Sequence, residues 1–568
     1  MRPRVVLFAC LLTYFGTVNA QFQRSYGTSS FEDGRSIDLG QDFGYVIAGE
    51  TSFPFLGRGD AYLSKIDNNG NLLWANVYGR EQFDQFNTVR RLTNTLATSP
   101  VAYIAAGYSG SFGLGAPGSH DMYLVGTDPN GIPIFSRVYG GKGVDKIWNA
   151  ELINDPIDGP GYILVGETNS FNLTANLSGV NVFVVRTDLM GNLKDAAVFG
   201  TKFTDRGYWI EQTSDKNYII TGYTTAKVTT ADSTLNPNIM VLKIDRNLNL
   251  LWDRIIGGAK PLDDIAYCIK EIGQGTTARY ILTGYTRNFG IGGGDAFLMA
   301  LDPNGNFVWM KSYGGTNPDQ GNVLLAGNTV AGAQGLVVAG YSNSFSPTPD
   351  ALVFSTDING NLFWGRTYGG AKEDFFYDMV AQTASPAGGF ATTGLTASLS
   401  STGTDDIYAV GLNMAGSTGT PCEKVVDLRA KVCQPLLTKG FISVKMGEQL
   451  VVQSAFKPVQ MEVLACGVTT PPNGREGIQE NTFSLPNSSN GVSVVPNPVT
   501  GSSLSLVFPE NLNGGNARIF HTNGQVAREF AEVNSGTVLF VEDLEAGIYM
   551  IQMTGPTGET KTSKFIKK

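Results

Sequence analysis

Aspartate is the chemically capable residue placed most regularly in this chain. Asp84, Asp145, Asp205, Asp319 and Asp374 each stand six residues after an aromatic–Gly pair, while Asp33 and Asp263 stand seven after Tyr26 and Ile256. Carboxylates gathered from different segments can hold a cation, and a pair of them can cleave a glycosidic bond as acid and nucleophile or base. A carboxylate beside a tight link has a plainer use, which is to accept from the N–H groups of that link. Recurrence of one residue in every copy of a repeat favours capping, because a binding site seldom needs seven equal copies. Capping is therefore the expected role, with a cation or glycan site on the same face as the alternative.

Other catalytic equipment is scarce. The chain has only two histidines, His120 and His521, and they fall in different segments, which argues against a histidine base or a histidine metal site. It has no strand–turn–helix nucleophile elbow, no phosphate-binding glycine loop and no His-Glu-x-x-His pattern. No catalytic, cofactor-binding or metal-binding residue is nominated. The net charge of −9, without a concentrated basic face, argues against nucleic acid as the partner. Cys268 lies in an alternating strand pattern and reads as packing, whereas Cys422, Cys433 and Cys466 bracket one short segment. One disulfide among those three suits an exported chain, but spacing does not choose the pair.

The elements that carry these residues repeat. An aromatic–Gly or Ile–Gly marker returns every 52 to 61 residues, from Tyr26 through Tyr78, Tyr139, Phe199, Ile256 and Tyr313 to Tyr368. Each interval holds a half-buried strand, a second strand ending in Ala-Gly or Thr-Gly, a polar loop, a third strand and a fourth. Asp67-Asn68-Asn69-Gly70, Asp302-Pro303-Asn304-Gly305 and Asp357-Ile358-Asn359-Gly360 supply left-handed backbone for a tight turn between strands three and four. They lack the length and distal Glu of an EF-hand loop, so a turn is expected rather than a calcium site. Trp74, Trp252, Trp309 and Trp364 share one place in four repeats and read as packing, while Trp148 and Trp209 fall elsewhere.

Four strands per unit and seven units predict an all-β fold, a seven-bladed β-propeller over residues 21–420. The seventh unit ends after Asp406–Leu412 without a fourth strand, and Phe22–Gly27 is an orphan fourth strand that would close the ring. Residues 421–467 are expected to form a small Cys-containing β module or a cover, 468–490 a linker and 491–568 a final β domain. At the start, Arg2, Arg4, the apolar run Val5–Leu12 and Val18-Asn19-Ala20 read as a signal peptide over 1–20. No run in the sequence is long and apolar enough for a transmembrane span.

Val494-Val495-Pro496-Asn497-Pro498, Asn523-Gly524-Gln525-Val526, Leu544-Glu545-Ala546-Gly547-Ile548-Tyr549 and the Lys-rich end occur in order over roughly the last 75 residues. This segment resembles the type A C-terminal sorting domain of type IX secretion substrates, found on cell-surface proteins of Bacteroidetes. The resemblance implies an immunoglobulin-like β-sandwich that engages the secretion machinery at the outer membrane. It also implies either release of the passenger or its attachment to surface lipopolysaccharide. The repeats resemble the Tyr-Gly-Gly…Asp-Gly-Asn repeats of bacterial secreted and surface proteins, which speaks to fold and not to activity. The expected function is non-enzymatic binding or adhesion, with a glycan or protein on the loop face. A hydrolase or lyase using carboxylates on that face is the alternative.

Overall fold

The computed structural model describes residues 21–446 apart from the segments 53–58, 93–98, 114–118, 172–178, 229–234, 329–333, 383–387 and 401–402. It also describes the strands Phe456–Pro458 and Glu462–Ala465 and most of 493–567. The expected signal peptide and linker lie outside the described residues. Regular structure is almost entirely β, and the residues divide into two units, 1–469 and 470–568.

The first unit contains seven antiparallel sheets, each built on a four-stranded meander. Their first strands are Glu32–Leu39, Asp84–Arg91, Asp145–Asp155, Asp205–Gln212, Asp264–Ile272, Asp319–Asn328 and Asp374–Ala381, and the sheets are numbered 1 to 7 in that order. Each first strand packs against that of the next sheet, and the seventh packs against the first, so these inner strands form a circle. Sheet 7 takes its fourth strand from the N-terminus: Phe22–Gly27 pairs antiparallel with Asp406–Leu412, from Phe22↔Gly411 to Tyr26↔Ile407. This is the pairing that the orphan strand required.

The core lies between neighbouring sheets. Second and third strands such as Tyr45–Thr51 and Asp60–Ile66 are buried along their whole length, because sheets cover both of their faces. The recurrent tyrosines fasten one sheet to the next. Tyr26, Tyr78 and Tyr313 are buried and donate to the carbonyls of Gly70, Gly131 and Gly360 in the strand three–four turn of the following sheet, at 2.7, 2.6 and 2.6 Å. Those glycines have φ between 73 and 77°, as the turn demands. Asp67, Asp302 and Asp357 each accept two turn N–H groups at 2.8 to 2.9 Å, so their carboxylates serve the turn. Ideal β-carbons on Gly131, Gly305, Gly360 and Gly416 would touch Trp74, Trp252, Trp309 and Trp364, which places these indoles against the next sheet's turn.

For residues 421–467 the sequence left open a small module or a cover, and their described strands pair with the sheets of the ring. Their strands of three to five residues are too short to build a core, and each instead adds to an outer edge of the ring. Glu423–Val425 joins sheet 6, Arg429–Val432 sheet 5, Leu436–Thr438 sheet 4 and Ile442–Met446 sheet 3. Phe456–Pro458 then joins sheet 1 and Glu462–Ala465 sheet 7. Among the described residues the segment is a strap that runs backwards along six of the seven sheets, sheet 2 receiving no strand from it.

The second unit contains a three-stranded and a four-stranded antiparallel sheet. Leu504, Leu506 and Leu539 of the smaller sheet share one buried cluster with Ile519, Tyr549, Ile551 and Phe565 of the larger.

Candidate functional site

The recurrent carboxylates are fully buried caps. Asp145 accepts from Gly141 N at 2.9 Å and Ser170 Oγ at 2.6 Å; Asp374 accepts from Gly370 N at 3.0 Å and Ser398 Oγ at 2.7 Å. Asp84, Asp205 and Asp319 likewise hold the link before their own strand. Each thereby ties the incoming link to its own sheet. In the two shifted repeats the structure moves the position by one residue: Glu32 and Asp264 hold it, not Asp33 and Asp263. Asp33 instead pairs with Arg35 at 2.7 Å, and Asp263 lies 3.7 Å from Arg287. The seven caps do not ring an open channel, since all are 0% exposed between sheets. Burial raises their pKa values, to about 6 for Asp205 and Asp264.

A different position of the same strands faces the centre. In every first strand the pairing with the second strand slips by one residue, a bulge that leaves one residue unpaired. The seven unpaired residues are Arg35, Asn87, Trp148, Tyr208, Tyr267, Asn322 and Tyr377, and all seven line one cavity of about 260 Å³. Bulges re-aim side chains and recur next to functional sites. Here they turn one side chain per sheet inwards, whereas regular alternation would continue the buried pattern of the strand. The capping position is acidic in every repeat, yet the bulge position holds four aromatics, two amides and one guanidinium. Uniformity marks a part that each sheet needs; this variety marks a surface shaped for something asymmetric.

Three of the four aromatics form a continuous wall. Tyr208 lies 5.5 Å from Trp148, edge to face, and 5.4 Å from Tyr267. Arg35 stands over Tyr377 at 4.9 Å. Burial pushes the phenols of Tyr208, Tyr267 and Tyr377 well above their ordinary pKa, so they stay protonated and can donate or accept hydrogen bonds. Asn87 and Asn322 anchor themselves on the next sheet by donating to Ile147 O and Phe376 O, each at 2.7 Å. Trp209, one residue after the bulge and 9% exposed, lies between Arg90 at 5.5 Å and Lys270 at 5.0 Å from its ring centre. Asp378 is the only carboxylate among the lining residues, and it accepts from Ser36 Oγ at 2.6 Å.

Nothing in the capping pattern pointed here, but a signal was present. Trp148 and Trp209 are the tryptophans outside the shared packing place, and both line the cavity. Cys268 is buried and its thiol is pushed up to about 12 by burial, as expected of packing. Cys433 is a free buried thiol, whereas Cys422 is in a disulfide. His120 stacks its edge on Tyr108 with ring centres 5.2 Å apart. Among the described residues, no group of three or more metal-ligating side chains occurs and no helix is long and apolar enough to cross a membrane.

Comparison with known proteins locates the function of the second unit. Residues 493–568 match the family described as the secretion system C-terminal sorting domain. No curated protein matches the chain. Among solved structures it is similar to PorZ, an essential bacterial surface component of the type-IX secretion system of Porphyromonas gingivalis. That likeness has 10% identity, covers 94% of this chain and 93% of that one, and has a TM-score of 0.20. With its sorting domain at residues 493–568, the chain is a substrate of type IX secretion.

Proposed function

We propose that the seven sheets are the blades of a β-propeller and that this exported protein binds a glycan in the cavity at their centre, without turning it over. One observation carries the reading: seven bulges aim Arg35, Asn87, Trp148, Tyr208, Tyr267, Asn322 and Tyr377 at a single space. Aromatic faces suit the apolar face of a sugar ring, and fixed amides and hydroxyls suit its hydroxyl groups. Glycoside hydrolysis calls for two carboxylates flanking the bond, roughly 5 to 9.5 Å apart. The lining offers Asp378 alone, already engaged by Ser36, which favours binding over cleavage. The signal peptide over 1–20 and an immunoglobulin-like sorting sandwich would deliver the protein to the surface or the medium.

The test is a glycan array combined with a polysaccharide-degradation assay on the mature full-length chain. Binding without release of products supports the reading. Product formation would replace it with the hydrolase or lyase alternative.

A further inference from the structure

The cations around the central cavity are nearly all neutralised in place. Arg35 pairs with Asp33 at 2.7 Å, Arg90 with Glu151 at 3.3 Å, Arg206 with Glu167 at 2.6 Å and Lys270 with Glu211 at 2.6 Å. Lys146 is the exception. It is half-buried, yet no carboxylate lies within 4.0 Å of its ammonium among the described residues. Its Nζ instead rests 4.3 Å from the centre of the Tyr108 ring. The acid whose charge reaches it is Glu167, whose Oε2 already takes Arg206 Nε at 2.6 Å and Trp148 Nε1 at 3.3 Å.

Lys146 stands beside the cavity and is not one of its lining residues. Lys146 is the second residue of its inner strand, two before the bulged Trp148. Gln320 holds the same place in sheet 6, two before Asn322, and it lines the cavity. Burial and the neighbouring Arg206 both disfavour the charge of Lys146, and Glu167 only partly offsets them. A half-buried cation that the fold leaves without a counter-ion, beside an aromatic wall, is a place for an anion from outside.

We infer that the ligand of the central cavity is an acidic sugar, one bearing a single carboxylate or sulfate that reaches past the lining to Lys146 while Trp148 and Tyr208 stack on the ring. This rests on the glycan reading above and narrows it. One ammonium answers one negative charge, which a uronic acid and a sulfate ester share, and the probes distinguish them.

The experiment titrates the mature full-length chain with oligogalacturonate, with a sulfated galacto-oligosaccharide and with a neutral galacto-oligosaccharide. At least one acidic probe should bind about tenfold more tightly than the neutral one, the scale of a charge-assisted contact. Lys146→Gln should bring that probe down to the affinity of the neutral one while leaving the latter unchanged, and Lys146→Arg should keep the preference. Raising the salt concentration should narrow the gap in the wild type. The inference is overturned if neither acidic probe binds at millimolar concentration, if the neutral probe binds as tightly as both, or if Lys146→Gln keeps the preference. Trp148→Ala separates the two levels. If it leaves binding of all probes unchanged, the cavity is not the site; if it abolishes binding while Lys146→Gln changes nothing, only the anion assignment fails.

Discussion

An ideal β-carbon on Gly314 would sit 2.1 Å from Asp295 Oδ1 and 2.4 Å from Asp319 Oδ2. The glycine of the Tyr-Gly marker is therefore there to admit two carboxyl groups, one from the third strand and one from the next sheet's cap. Asp319 is held in place by Gly315 N and Ser344 Oγ at 2.8 and 2.7 Å. Gly314→Ala should cost roughly 1–3 kcal/mol of stability, the usual range for overpacking, measured by urea unfolding. An unchanged midpoint would show that the carboxyl pair does not set the spacing. Buried carboxyl groups also give the protein an unusual pH response. Burial lifts Asp205, Asp264, Asp295 and Asp350 to about 6, above the ~3.9 of an unfolded aspartate. The folded state then holds more protons, so the stability these groups contribute is full below about pH 4 and is lost as pH rises through 6. Asp67, Asp302 and Asp357 are shifted downwards by their turn hydrogen bonds, and their contribution is lost only as pH falls below the ordinary carboxyl range. The melting temperature should fall between pH 4.5 and pH 7; a rise over that interval would contradict this assignment of protons.

At the scale of elements, the strap shows what a local pattern conveys and what it does not. The four strands of each repeat were legible because alternation, Asn-Gly turns and the Tyr-Gly marker all act over short distances. Strands such as Glu423–Val425 and Leu436–Thr438 are too short to show any period, and their place is set by distant sheet edges that they pair with. The bulges escaped notice for a related reason. One extra residue in a strand leaves the composition unchanged, and only the register between strands reveals Trp148 or Tyr267 as the odd residue. Residue type, not register, separates Asp33 from the cap Glu32, which stands six after Tyr26 as the other caps do after their markers. The link after Ile256 is two residues longer and sets the cap Asp264 eight after it. The strap also decides the cysteines. Its first strand lies on sheet 6 and its last on the adjoining sheet 7, and Thr420 Oγ1 reaches Gln23 Oε1 at 2.6 Å, next to the Arg24 that pairs with Ala465. Cys422 is bonded while Cys268 and Cys433 are free, and the partner of Cys422 lies outside the described residues. Non-reduced peptide mapping should link Cys422 to Cys466. Reduction should cost about 4 kcal/mol if chain entropy dominates a loop of this length. A Cys422–Cys433 peptide would contradict the strap's closure.

For the whole molecule, the division of labour follows the two units. The sorting domain at 493–568 is the part that marks the chain for secretion. The ring is uniform at its caps, which are acidic in every sheet, and varied at the seven bulge positions that face its centre. Export was legible in the sequence because sorting motifs are contiguous. The central cavity was not, because it takes residues from all seven sheets that stand far apart in the chain. The most direct measurement is a titration of the mature chain and of the double variant Tyr208→Ala/Tyr267→Ala with the glycan giving the strongest array signal, alongside both melting temperatures. Binding through the central cavity predicts a loss of at least roughly tenfold in affinity, as two stacking rings are removed, while the variant still unfolds as one cooperative species. Equal affinity in the two proteins would contradict it and place the ligand elsewhere.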